Sequence, residues 1–340
     1  MKKLLNKAVM FETLISMKYI IILELLVVAV GALMKISEVH NSILNNFDYF
    51  RSYLSIDIIV VMMILAVMNF LISIGVMGIN KHKNFLFLSS QPITREEMVF
   101  TKGSIALSLS FINIALYMYM NYIDFIANKQ LYRYFLINYN NRFIIKELVL
   151  LITFSIGFFT YIFLINGIVN NGIAAIITTI AIPLYPFAFV LLAHSLVPYR
   201  FRGFLGQTLE YILNSTLSYA NGEKIFKITV VTSLIIIAIC AAVWKGIIVN
   251  IYKKIRIENM NKLFISNTVS KIINILMCIV ISLLVGNIMV AVVFIFLNIF
   301  IANPYQSIQM PRIILLISSI IAAPMIYKMQ NKLTKLYGLN

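Results

Sequence analysis

The stretch from Phe85 to Gly103, FLFLSSQPITREEMVFTKG, gathers Arg95, Glu96, Glu97 and Lys102 within little more than two helical turns. A Glu-Glu pair begins the glutamate motif of intramembrane proteases, but that motif needs an Arg four residues after the second Glu, where this chain has Thr101. The three histidines, His40, His82 and His194, lack metal-ligand spacing, and no H-E-x-x-H is present. Cys240 and Cys278 lie in separate apolar runs and imply neither a disulfide framework nor a metal cluster. The 13 glycines are scattered, without the G-x-x-x-x-G-K-[ST] loop that cradles phosphates. These residues therefore predict no enzyme, and no cofactor held by this chain.

Composition explains why polar residues are so few. With 61% hydrophobic and 12% charged residues, the chain cannot bury its apolar surface in a water-soluble core, so most of it must sit in lipid. The formal charge of +16, from 28 Lys and Arg against 12 Asp and Glu, would raise nucleic acid as a partner in a soluble protein. Here the basic residues flank apolar runs, as the positive-inside bias requires, and no separate basic domain exists; no nucleic-acid partner is expected.

Apolar runs long enough to cross the bilayer predict spans at 19–34, 56–79, 104–122, 148–169, 173–197, 228–250, 272–302 and 313–327. The fold class is an all-α polytopic membrane protein with about eight transmembrane helices. The run 272–302 contains Gly286 and Asn287 and could be one long span or two short ones. One span puts both termini in the cytoplasm, with the lysine-bearing tail 331–340 inside, and gives the larger excess of Lys and Arg on that side. Residues 1–18 then form a basic interfacial helix, with Leu4, Ala8, Phe11 and Ile15 on one face. A six-span core covers 19–250, a basic cytoplasmic loop 251–271, and two further spans 272–330. Trp244, the one tryptophan, falls near the inner interface, where an indole is common.

The same topology places the loop 80–103 in the cytoplasm. Gln91-Pro92 cannot lie inside a helix, because proline lacks the N–H and restricts the residue before it. A new helix then starts at about Arg95, since Thr94 and Glu97 have the spacing of a capping box and Glu96 and Glu97 suit the positive end of the helix dipole. The expected object is a short elbow with a polar tip of Gln91, Thr94, Arg95 and Glu96.

The pattern FLFLSSQPITREEMVFTK resembles the cytoplasmic loop between the second and third spans of ABC-2 type transporter permeases. The resemblance extends loosely over residues 1–260 and is specific over this loop; the two spans after residue 271 depart from the six-span pattern. It implies a permease subunit of an ATP-driven exporter in the bacterial cytoplasmic membrane. Gln91, Pro92, Thr94, Arg95, Glu96, Glu97 and Lys102 would then form the coupling helix that docks on a separate ABC ATPase subunit. ATP and Mg would be bound by that partner, and a second permease chain, identical or related, would complete the pathway. The substrate is left open.

Within the spans, Glu24 is expected to face a partner helix or a polar pathway, or to be neutralised in place, because a carboxylate in lipid costs about 2.5 kcal/mol or more. His194, after Pro183 and Pro186, is a second candidate, since broken helices can form sites. Asp57 and Glu147 lie at span edges and are expected to be wetted. Two rival functions remain, an ion-gradient-driven secondary transporter and a non-transporting scaffold or immunity protein. Against the first stands the expectation that Glu24 alone among the ionisable residues lies well within a span.

Overall fold

The computed structural model describes residues 5–45, 58–77, 94–135, 140–169, 175–183, 223–254, 267–300 and 310–336. The elements among them are helices: α1 (Lys7–Ser16), α2 (Lys18–Asn45), α3 (Ile58–Met77), α4 (Arg95–Ala127), α5 (Lys129–Phe135), α6 (Asn141–Ile168), α7 (175–183), α8 (Glu223–Val243), a π-helical turn (Trp244–Ile248), α9 (Val249–Lys254), α10 (Asn267–Phe300) and α11 (Met310–Leu336). Five helical segments are long and apolar enough to cross a membrane: Lys18–Asn41, Arg95–Ala127, Asn141–Ile168, Phe226–Lys253 and Asn274–Val293. The chain is thus helical and multi-pass in character. Val61–Met77 and Ile313–Met329 are shorter apolar helices.

The chain divides into two compact units, Met1–Gly167 with Tyr211–Lys254, and Ile168–Glu210 with Ile255–Asn340. In the second unit the run containing Gly286 and Asn287 is one continuous helix, α10, packed against α11. Asn287 does not break it, because its amide donates to the carbonyl of Leu283 one turn back, at 2.9 Å. Gly286 is where α11 comes closest: a Cβ there would collide with the Ser319 hydroxyl and lie 3.1 Å from the Leu315 carbonyl oxygen. The Cys278 thiol donates to the Ala323 carbonyl at 3.2 Å, so this cysteine is a packing residue.

In the first unit α4 is the central helix, with α1, α2, α3 and α9 packed against it. Its start agrees with the expectation from Thr94 and Glu97. The Thr94 hydroxyl accepts from the Glu97 amide, the Glu97 carboxylate accepts from the Thr94 amide, both at 3.2 Å, and the helix then runs 33 residues without a break. α1 is capped by Asn6, whose side chain accepts from the amides of Ala8 and Val9. Val9 and Thr13 are buried, while Phe11 is 70% exposed and Ala8 and Ile15 are also exposed. The face read as amphipathic therefore points away from the protein, as an interfacial helix requires. Leu4 lies outside the described residues.

The first span is part of a longer helix that continues past Met34 to Asn45, so Lys35 lies in α2. The Trp244 indole covers Gly103 and packs on the Phe163 ring, with centroids 4.8 Å apart. A Cβ on Gly103 would sit 2.5 Å from the indole. Gly103→Ala should accordingly lower stability by about 1–3 kcal/mol through overpacking. Thermal unfolding of the detergent-solubilised protein measures this, and Gly157→Ala, where a Cβ meets nothing within 4 Å, is the control.

Candidate functional site

Two clusters lie along α4, one at its N-terminal end and one along its length. At the N-terminal end, Arg95 donates through Nη1 to the Lys253 carbonyl at 3.2 Å, and Glu96 forms an ion pair with Lys253. The Thr101 hydroxyl donates to the Glu97 carbonyl at 2.6 Å and accepts from the Asn6 amide at 3.0 Å. This end of α4 thus fastens α1 and α9 to the elbow. Lys102 is buried and is not presented on the surface. Thr94 is exposed, while Arg95, Glu96 and Glu97 are half-buried. Gln91 and Pro92 lie outside the described residues.

Along the helix, Ser110, Asn113, Tyr117, Asn121 and Asp124 recur at spacings of three and four, which puts them on one face. Each of these levels makes a polar contact. Ser110 donates to the Asn69 side-chain carbonyl at 2.8 Å and lies 3.1 Å from the Ser155 hydroxyl, which accepts from the Asn69 amide at 3.1 Å. The Asn113 amide donates to Glu24 Oε2 at 3.0 Å. Glu24 is 1% exposed, and its Oε1 has no hydrogen-bond partner. Of the alternatives open for Glu24, a partner helix, a polar pathway or neutralisation in place, the structure shows a hydrogen bond from α4.

The next level overturns the reading of Glu147 as wetted. Glu147 is buried and takes both of its oxygens to Lys35 Nζ at 2.6 Å, and Tyr117 adds a hydroxyl donor at 3.2 Å. The Lys35 ammonium also lies 5.1 Å from the Tyr117 ring centroid, within reach of a cation–π contact. Glu24 is therefore not alone among ionisable residues inside the helical core. The reason is azimuthal: Lys35 and Glu147 stand near the ends of their apolar runs, but both point inward and meet across the bundle.

Toward the far end of α4, the Tyr132 hydroxyl donates to Asp124 Oδ2, so it must accept from His40 Nε2, 2.8 Å away. That assignment leaves the proton on Nε2, which is also 3.2 Å from Asp124 Oδ1. His40 had been weighed only as a metal ligand; its partners come from residues 84 and 92 positions away, separations that spacing rules do not reach. Among the described residues no group of three or more His, Cys, Asp or Glu converges to hold a metal ion. His194 and Asp57 lie outside the described residues. No family model, curated protein or solved structure matches this chain.

Removing one partner of a buried ion pair leaves an uncompensated charge and costs about 3–5 kcal/mol, whereas replacing both by apolar residues is near neutral. Lys35→Met or Glu147→Leu alone should sharply lower the melting temperature in detergent. The double variant should recover most of the loss; a double variant no better than either single one would show that the pair does not act as a unit.

Proposed function

We propose that this chain is the membrane-spanning permease subunit of an ATP-driven ABC transporter of the ABC-2 type, working in export from the cytoplasmic membrane of a bacterium. A separate ATPase subunit binds ATP and Mg, and two permease chains line one pathway. The observation that carries this reading is the elbow. A helix with a full capping box begins directly after Gln91-Pro92, in a stretch whose residue pattern resembles the coupling loop of these permeases. A helix start fastened to α1 and α9 is suited to pass a push from a docked ATPase into the bundle, because its contacts fix it to the elements that would have to move with it.

The Glu96–Lys253 pair permits a test that separates docking from internal packing. Glu96→Lys should reduce co-purification of the ATPase and stimulated ATP turnover while membrane insertion persists. Reversing the pair with Glu96→Lys and Lys253→Glu restores an internal bridge, so a merely structural Glu96 would be rescued. For a docking residue, coupling stays low in the double variant, and full rescue would refute the elbow as the contact surface.

A second reading, an ion-gradient-driven transporter, gains support from the buried Lys35, Glu147 and Glu24. Intramembrane ionisable residues mark ion or substrate pathways by default. Proteoliposomes holding only this chain decide between the two: substrate movement without ATP under an imposed ion gradient is expected from the second reading, and its absence until the ATPase and ATP are added from the first.

A further inference from the structure

Between α4, α6 and the α8–α9 segment lies a cleft of about 830 Å³, within the size range of sites that hold small molecules. Its walls are apolar and aromatic, with Phe100, Leu107 and Phe111 from α4, Phe159 from α6, and Ile237 and Trp244 from the third wall. The charged side chains among its lining residues are Glu96, Lys245 and Lys253; with Asn250 they belong to the N-terminal end of α4 and the C-terminal half of the α8–α9 segment. Glu96 and Lys253 neutralise each other, and the Asn250 amide donates to the Gly246 carbonyl at 2.7 Å. Lys245 is exposed, and among the described residues no hydrogen bond or ion pair to it is formed. Among the described residues, Lys245 is thus a lining cation without an ion pair.

This asymmetry is built into the backbone. The π-helical turn Trp244–Ile248 inserts an extra residue into the helix, and such turns recur at functional sites. Within it Trp244 packs on Gly103 and Phe163, while the next residue, Lys245, also lines the cleft. The cleft lies in helices that are long and apolar enough to cross the bilayer, and its charged lining residues lie toward the end of α4 and α9 that the charge bias assigns to the cytoplasm. An apolar slot in the membrane with a lining cation, Lys245, that forms no ion pair among the described residues matches an amphiphile with an acyl chain and one anionic head.

We propose that this cleft is a binding site for an anionic phospholipid of the surrounding membrane, with an acyl chain between Phe111 and Phe159 and the phosphate at Lys245. The site is independent of how the protein is driven. It also accounts for an open apolar slot within the packed unit, since lipid chains fill such space without exposing it to water.

The test uses the full chain in detergent, loaded with phosphatidylglycerol or phosphatidylcholine and examined by native mass spectrometry, with an acyl-chain photoreactive phosphatidylglycerol to map the contact. Phosphatidylglycerol should be retained in preference to phosphatidylcholine. Lys245→Gln should lower its retention about fivefold, the worth of one cation near an anionic lipid, and leave phosphatidylcholine unchanged. Ala241→Trp, which fills the slot, should lower both, and photoadducts should fall on peptides of α4, α6 and α8. Equal retention of the two lipids, a phosphatidylglycerol signal indifferent to Lys245→Gln, or adducts confined to other helices would overturn the proposal. So would an efficient Cys240–Cys240 crosslink between two chains, since Cys240 lines the slot and a second copy would then occupy it.

Discussion

A bilayer offers no water, so every polar side chain that α4 carries into it has to be answered by another part of the protein. Helices in lipid also gain little from hydrophobic association, because the acyl chains are as apolar as leucine; small residues and interhelical hydrogen bonds must set their register. On α4 these two conditions meet in one stripe. Ser110 fixes α3 and α6 through Asn69 and Ser155, Asn113 fixes α2 through Glu24, and Tyr117 reaches the Lys35–Glu147 pair that joins α2 to α6. The first unit is in this sense built around the face of a single helix. Its apolar core follows the same geometry: Val28, Ala32, Ile114, Met118 and Leu151 pack between the polar levels.

What was legible in the sequence follows from which signals are local. Among the described residues the apolar runs appear as helices, and the capping box at Thr94 and Glu97 forms as its spacing requires, because a cap depends on four consecutive residues. The run 272–302, undecided by length, is continuous through Gly286 and Asn287, since a glycine and an asparagine lower helix propensity without removing a hydrogen bond as proline does. The site was legible only in part. Glu24 stood out because it interrupts an apolar run. Glu147 and Lys35 did not, because each lies where a run meets polar residues, and sequence position gives depth along a helix but not the direction in which a side chain points. The His40, Asp124 and Tyr132 cluster was invisible for the same reason, being assembled from three helices.

The two ends of α4 constrain how it can work. Its 33 residues span about 50 Å, with the elbow at one end and the His40–Asp124–Tyr132 cluster at the other. At the elbow, Asn6, Thr101, Arg95, Glu96 and Lys253 bind α1 and α9 to it; along its length the polar stripe binds α2, α3 and α6. Sliding α4 past α2 or α6 would break whole polar levels at once, including the hydrogen bond and ring contact by which Tyr117 meets the Lys35–Glu147 pair. Such a motion is much more costly than moving the helices together.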